Sequence, residues 1–337
     1  MNAILIIKIG AIGDVVMALP MLTYLRKKYP SAAITWVCGK IAAPLIAATG
    51  MVDHLLQVDE KLLSRGRIRF LFTVWKQLFG KSFDLVITAH PDPRYRWISA
   101  FCRKREHRFF DRLQKRPFPI PGRYHLDEYV RLAGAFEEPI VERPPFPKLK
   151  IPAKPGLNLP AGPIVVIAPG GAKNALADDA LRRWPIGHYA QLIAKLSAHG
   201  LQIVITGSET DKWVEPHFSH LPFHNLIGQL SLLDLISLLQ RSQLFITHDS
   251  GPLHLSKFAS CPKIALFGPT NPYEKVSRSE NIHVFWEGGN LPCSPCYDGK
   301  RYAPCTKNLC LHHIRPEQVA KKALDLLSLN TLCPTSN

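Results

Sequence analysis

Four short stretches gather most of the residues of this chain that could do chemistry. Residues 8–22 read KIGAIGDVVMALPML and set one carboxylate, Asp14, just after a glycine turn. A glycine turn between a strand and a helix ordinarily suits an anion, so a carboxylate at that point needs a reason. Two are open. Asp14 caps the helix start, or it serves as a general base that takes a proton from a hydroxyl as that oxygen attacks. Gly10 and Gly13 leave room for such a hydroxyl-bearing molecule.

Residues 248–254 read HDSGPLH. Asp249, Ser250 and Gly251 precede an expected helix, and His254 falls in its first turn. The amides and dipole of a helix start suit a diphosphate, and Gly251 lets the backbone come close. The alternative is an ordinary helix capped by Asp249 or Ser250. Gly170 and Gly171 follow another expected strand and offer amides, and Arg182 and Arg183 follow in RRWP. Arginine forks match phosphate oxygens at two points. Glu209, after a third strand, is either a surface side chain or an acceptor for ribose hydroxyls. Together these describe a nucleotide-diphosphate site. No Walker lysine motif and no G-x-G-x-x-G is present, which weakens a dinucleotide reading. There is no D-x-D triplet either, so arginine and amides are expected to balance the leaving-group charge.

The fourth stretch, CSPCYDGKRYAPCTKNLC, holds Cys293, Cys296, Cys305 and Cys310. Its spacing admits a reduced cluster that stiffens a loop, or a zinc knuckle of unusual spacing. Cys38, Cys102 and Cys261 read as small core residues.

The elements that must position these residues alternate. Strands are expected at 3–9, 32–38, 54–58 and 84–89, with helices at 15–29 and 125–135. Eight prolines between 138 and 163 break the pattern, because proline at that density propagates neither helix nor central strand. The alternation then restarts, with strands at 164–168, 202–206, 244–247 and 263–267 and helices at 186–199, 232–240, 253–259 and 315–327. Continuous apolar strands separated by helices form parallel sheets covered on both faces. The expectation is an α/β chain of two Rossmann-like domains, 1–150 and 151–337, facing across a cleft. Ligands in such sheets bind at the carboxyl ends of the strands.

The chain has 337 residues, 46% apolar and 20% charged, the composition of a folded soluble protein. Lys8 interrupts the apolar stretch AILIIKIG, so a strand is expected there rather than a signal peptide, and a cytoplasmic protein follows. The net charge is +16, and residues 61–131 carry 17 Lys/Arg against 6 Asp/Glu. Such an excess implies a polyanionic partner: nucleic acid, an anionic membrane surface or a phosphorylated substrate. No nucleic-acid motif accompanies the basic stretch, and no nucleic-acid partner is expected.

Taken in order, KIGAIGDVVMALPML, APGGAKN…RRWPIGHYAQL, IGQLSLLDLISLL, ITHDSGPLHLSKFASCPKIALFGPTNP and PCSPCY…CTKNLCLHHIRPEQV resemble the bacterial heptosyltransferases of glycosyltransferase family 9. The resemblance spans nearly the whole chain. It implies a GT-B fold and an inverting, metal-independent transfer of heptose from ADP-heptose to the lipopolysaccharide inner core (Kdo/heptose–lipid A). It needs no cofactor beyond the donor. It implies that Asp14 is the general base. Donor contacts would fall to Gly170, Gly171, Ala172, Arg182, Arg183, Glu209, Asp249, Ser250, Gly251 and His254, with the adenine near Gly228–Leu230. Lys8, Gly13, Arg94, Arg96 and His125 are the acceptor candidates. The basic stretch would hold the anionic acceptor and dock peripherally on the inner membrane. Arg182 stands where relatives often carry lysine, which keeps the charge and changes the geometry. Other members transfer other activated sugars or modify proteins. A nucleotide-sugar-binding protein without transfer activity is the alternative from another class.

Overall fold

A computed structural model describes residues 1–59, 69–111, 118–134, 140, 142–152, 159–172, 178–278, 281–297 and 302–332. The chain divides into two compact units, Met1–Ile151 and Pro152–Asn337. The division falls inside the proline-rich stretch, whose described residues 142–152 carry no helix or strand.

The first unit is a five-stranded sheet of β1 (Ala3–Ile7), β2 (Ala33–Gly39), β3 (His54–Val58), β4 (Ser82–Thr88) and β5 (Arg103–Phe109), in the order β3-β2-β1-β4-β5. Every pairing is parallel. Its helices are α1 (Ile12–Lys28), α2 (Ala43–Ala48), α3 (Arg69–Leu78) and α4 (His125–Gly134). The sequence AILII is buried along almost its whole length because β1 lies at the centre of the sheet. Helix α1 begins three residues before the expected start, which draws Asp14 into its first turn.

The second unit holds β6 (Ile164–Ala168), β7 (Gln202–Gly207), β8 (His224–Ile227), β9 (Leu244–His248), β10 (Lys263–Phe267) and β11 (Ile282–Trp286), again all parallel, in the order β11-β10-β9-β6-β7-β8. Helices α5 (Ile186–Ser197), α6 (Glu215–Phe218), α7 (Leu232–Arg241), α8 (Gly251–Leu255), α9 (Leu309–His312) and α10 (Pro316–Leu332) accompany it. The expected helix over 253–259 is instead the short α8 followed by a 3-10 turn, Ser256–Phe258. Trp184, buried, ties the two ends of this unit together by donating from Nε1 to the Ile314 carbonyl at 3.0 Å. Both sheets reverse their strand order at the middle, between β1 and β4 in one and between β6 and β9 in the other. Loops leave such a point in opposite directions and open a crevice at the carboxyl edge.

Several polar side chains are sealed inside the second unit, His248 among them. His248 is fully buried, and its Nδ1 lies 3.1 Å from the Tyr189 hydroxyl. Burial, reinforced by Arg182 and Arg183 and opposed by Asp249, lowers its pKa to about 3. An unfolded histidine titrates near 6.5. Below that pH the unfolded chain takes up a proton that the folded chain refuses, so stability falls as pH drops. The loss approaches about 1.4 kcal/mol per pH unit for this group, down to about pH 3. Urea unfolding at pH 7 and pH 5 is expected to show this decline, and His248→Gln is expected to make the pH slope shallower; an unchanged slope would remove His248 as its source.

Candidate functional site

In the first unit, the carboxyl ends of β1 and β4 gather a compact polar group. Lys8 follows β1 and is 1% exposed; its Nζ donates to Asp14 Oδ2 at 3.3 Å and stands 5.4 Å from the Tyr129 ring centre. Trp36 Nε1 donates to the Lys8 carbonyl at 3.0 Å and fixes the backbone at this point. Asp14 keeps 34% of its side chain exposed. It does not cap α1, whose N-cap is Ala11 with no side-chain hydrogen bond. It sits instead in the first helical turn, where a carboxylate also complements the helix dipole, so both readings of Asp14 stay open. Gly13 lies beside it, half-buried.

His90 follows β4. Its Nδ1 accepts from the Asp92 amide at 3.0 Å, and its ring stacks on Tyr95 with centroids 3.6 Å apart. Burial and then Lys8 lower its pKa to about 3, against the pull of Asp14. The ring is neutral, with the proton left to Nε2. Burial, helped by Asp14, pushes the Tyr129 phenol well up. Neither His90 nor Tyr129 was among the sequence candidates. A polar residue directly after the apolar run DLVITA was the signal for His90; Tyr129 reads as ordinary core until α4 packs on α1.

The other acceptor candidates occupy the same edge but are engaged locally. The Arg94 guanidinium forks onto Asp92, with NH2 at 2.6 Å from Oδ2. Arg96 reaches Asp111 at 3.4 Å and lies 4.5 Å from the Phe109 ring centre. His125 is buried against Phe118, one turn before Tyr129 on α4.

In the second unit, the loops after β6, β7 and β9 converge. Asp211, buried and absent from the sequence candidates, binds the first two together. Its Oδ1 accepts from the Gly171 amide at 2.7 Å, and its Oδ2 accepts from the Ser208 amide at 2.7 Å and the Ser208 hydroxyl at 2.7 Å. The Gly171 amide is thus committed to Asp211 rather than offered to a ligand. A Cβ on Gly170 would lie 2.6 Å from the Asp211 side chain, so glycine is required there for packing. Gly171 and Ala172 take positive φ values of 86° and 54° and turn the chain back. Arg183 is also structural: Nε donates to the Gly171 carbonyl at 2.8 Å and NH2 pairs with Asp178.

Arg182 differs. NH2 reaches Asp179 at 2.9 Å and NH1 reaches Asp249 at 3.4 Å, while Nε, buried, has no hydrogen-bond partner among the described residues. Burial alone would raise the pKa of Asp249. Arg182 first, then Lys275, His254 and the Thr270 hydroxyl, outweigh it and hold the carboxyl at about 2. Thr270, from the loop after β10, donates to Asp249 Oδ2 at 2.8 Å. Asp249 is therefore an anchor for Arg182, not a helix cap. Ser250 sits at the N-cap of α8 without a side-chain cap bond; its hydroxyl donates to the His248 carbonyl at 3.2 Å. Gly171 comes close to Ser250, with its would-be Cβ 3.3 Å from Ser250 Cβ, and Gly251 opens α8. His254 is buried near Asp249. Glu209 pairs with Lys212 at 2.5 Å and lays Oε2 against Gly228, whose φ is +73°. Glu209 and the Gly228–Leu230 turn are thus neighbours.

Cys293, Cys296, Cys305 and Cys310 all line one cavity of about 120 Å³, together with Leu181 and Pro269, and all four are free thiols. Among the described residues, no group of three or more His, Cys, Asp or Glu side chains is placed to hold a metal. Burial raises the Cys310 thiol to about 11. No described helix is long and apolar enough to cross a membrane.

Residues 71–306 match the family model described as glycosyltransferase family 9 (heptosyltransferase). The chain is 23% identical over 355 aligned positions to lipopolysaccharide heptosyltransferase 1 of Pseudomonas aeruginosa, covering 98% of this chain and 93% of that protein. It is 24% identical over 293 positions to the lipopolysaccharide core heptosyltransferase OpsX of Haemophilus influenzae, covering 80% of each. Its fold is similar to that of the ADP-heptose lipopolysaccharide heptosyltransferase II of E. coli, with a TM-score of 0.75 and 20% identity over 98% of this chain and 100% of that one. The family 9 glycosyltransferase of Veillonella parvula gives the same score at 22% identity, over 97% of each chain. Two parallel sheets of this topology and these likenesses make the fold GT-B. With the family model covering most of both units, the chain belongs to glycosyltransferase family 9, the heptosyltransferases, and is an enzyme of that class.

Proposed function

We propose that this enzyme transfers a heptose from ADP-heptose to the inner core of lipopolysaccharide, with inversion and without a metal ion, and that Asp14 is the general base. The observation that carries the reading is the Lys8–Asp14 pair at the switch point of the first sheet. A carboxylate oriented by a buried ammonium, and still one-third exposed, can receive a proton from an acceptor hydroxyl. In this reading neutral His90 donates from Nε2 to the acceptor near that carboxylate. Direct attack of the hydroxyl oxygen on the anomeric carbon, with departure of ADP from the opposite face, inverts the configuration there. The hydroxyl proton goes to Asp14, and the bonding pair leaves with the diphosphate.

The second unit is the donor side in this reading. Arg182, held charged and in place by Asp179 and Asp249, presents Nε to the diphosphate. A preorganised cation of this kind stabilises the departing charge without reorganising, which a metal would otherwise do. The amides around Ser250 and Gly251 add to it. Glu209 accepts from the ribose hydroxyls, and the adenine lies along Gly228–Leu230. Arg94, Arg96 and His125 belong to the acceptor side, where an anionic, lipid-borne inner core favours cations. The enzyme works in the cytoplasm, at the inner membrane, and the basic stretch draws it there.

Three measurements test this. Calorimetry with ADP, ADP-heptose, UDP, GDP and CMP, without added metal, is expected to give binding of ADP and ADP-heptose alone; preference for UDP or GDP would discard heptose, and binding of none would discard the transferase reading. Asp14→Asn is expected to lower kcat by about 10²–10⁴-fold while leaving ADP-heptose affinity unchanged; transfer near the wild-type rate would remove Asp14 as the base. Thr270→Val deletes the hydroxyl that Asp249 accepts from and is expected to cost about 1–2 kcal/mol of stability and to weaken ADP binding, whereas unaltered ADP affinity would separate the Thr270–Asp249–Arg182 chain from the donor site.

A further inference from the structure

The first unit carries an apolar surface that the transfer chemistry does not use. Four large side chains lie in the open: Phe72 is 62% exposed, Phe79 73%, Trp97 63% and Phe101 50%. They are not scattered. Phe72, Trp75 and Phe79 recur at i, i+3 and i+7, one stripe of α3 and its continuation, since the Phe79 amide still donates to the Trp75 carbonyl at 2.7 Å. The opposite stripe, Val74 and Leu78, is buried in the core of the unit. Trp75 joins the outer stripe to the next segment. Its ring meets Phe72 edge-on at 5.6 Å and Phe101 at 4.6 Å, and its Nε1 donates to the Trp97 carbonyl at 2.8 Å.

A soluble surface rarely exposes a contiguous aromatic patch without a partner for it. What surrounds this patch identifies the partner. Lys76, Lys81, Arg103, Lys104 and Arg105 are all exposed. Two contacts place three of them at the rim: the Arg103 amide donates to the Lys81 carbonyl at 2.9 Å, and Lys104 Nζ donates to the Ser99 carbonyl at 2.7 Å, two residues from Trp97 and from Phe101. Residues 72–105 hold seven Lys/Arg against two Asp/Glu. Of the two acids, Asp84 accepts from the Ala3 amide and Asp92 is paired with Arg94. Tryptophan and phenylalanine set among an excess of exposed lysines and arginines match the headgroup layer of an anionic bilayer, where rings enter the acyl boundary and cations meet the phosphates. A single-stranded nucleic acid would use the cations and stack bases on such rings, but no nucleic-acid motif accompanies this stretch.

We infer that the patch formed by Phe72, Trp75, Phe79, Trp97 and Phe101, with its lysine and arginine rim, inserts into the surface of an anionic phospholipid bilayer. This deepens the reading of a lipid-borne acceptor: attachment rests on aromatic insertion as well as on charge, and it stands whichever sugar is transferred. Trp97 lies in the 3-10 turn Pro93–Ser99, which also carries Arg94 and Arg96. The same turn thus joins the patch to the acceptor candidates Arg94 and Arg96.

The test uses the full chain and vesicles of phosphatidylglycerol with phosphatidylethanolamine, beside vesicles of phosphatidylcholine alone. Co-sedimentation with the anionic vesicles is expected, weakened by salt, and little with the neutral ones. Brominated acyl chains are expected to quench the tryptophan fluorescence of the wild-type protein. The variant Phe72→Ser/Trp97→Ser/Phe101→Ser alters only exposed side chains and is expected to keep its ADP affinity while losing about tenfold or more in affinity for anionic vesicles. Absence of quenching, or vesicle affinity of the triple variant equal to wild type, would overturn the inference. So would a wild-type dimer that the triple variant converts to a monomer with vesicle binding intact, because the patch would then join two copies of the chain. Since ADP binding is read separately, a failure here is distinct from a failure of the donor assignment.

Discussion

Lys8 is the constraint around which the first unit is arranged. An ammonium with 1% of its surface exposed is costly unless a partner meets it, and the partner here is Asp14, at 3.3 Å. Meeting it requires that β1 end where α1 begins, so the GAIG turn is short and Asp14 falls in the first helical turn. It requires a neutral neighbour on the β4 side, which His90 supplies. It also requires the Tyr129 face, which α4 brings in by packing on α1. A well-packed apolar pair would fold as stably. The partly exposed Asp14 of this pair is what the proposed proton transfer uses.

The second unit solves a related problem with two buried carboxylates. Asp211 ties the loops after β6 and β7, consuming the Gly171 amide and filling the space that a side chain at Gly170 would need. Asp249 ties the loops after β9 and β10 to Arg182 through Thr270. Each carboxylate is satisfied by groups from separate strand ends, so the carboxyl edge of the sheet is cross-braced where it would otherwise be a set of independent turns. That rigidity is what electrostatic stabilisation of a leaving diphosphate demands, since donors that must reorganise forfeit much of their effect. Arg183 and Asp211 thus belong to the bracing, and the same bracing holds Arg182, to which the proposed transfer gives the leaving-group charge.

The two surfaces of the first unit share elements. The 3-10 turn Pro93–Ser99, after β4, carries the two cations Arg94 and Arg96 and Trp97 of the aromatic patch. α3 buries one stripe in the core and leaves the other outside. An element used on both sides couples where the protein rests to what it reaches, and this gives the exposed cations between residues 76 and 105 a specific geometry beyond a bulk attraction.

The sequence alone determined the central strands, the alternation and the division of the chain, because a parallel strand buried on both faces must be a continuous apolar run and proline cannot continue one. AILII, DLVIT, IVVIA and KIALF declare themselves this way. It also located Asp14, Asp249 and Arg182, each a polar residue just beyond such a run or in the loop that leaves it. The strands it missed, β5, β8 and β11, lie at sheet edges. RKREHRF is charged because an edge strand is only partly covered, so its pairing is set by the neighbour β4 and not by its own pattern. The roles within the second site were likewise decided only in three dimensions. Gly171, Arg183 and Asp249 carry the residue types of a phosphate cradle, yet the fold spends the first two on bracing and turns the third onto Arg182. Asp211, which holds the loops together, sits in the sequence as an ordinary helix-start acid, because a hydrogen bond between residues forty positions apart leaves no trace in local spacing.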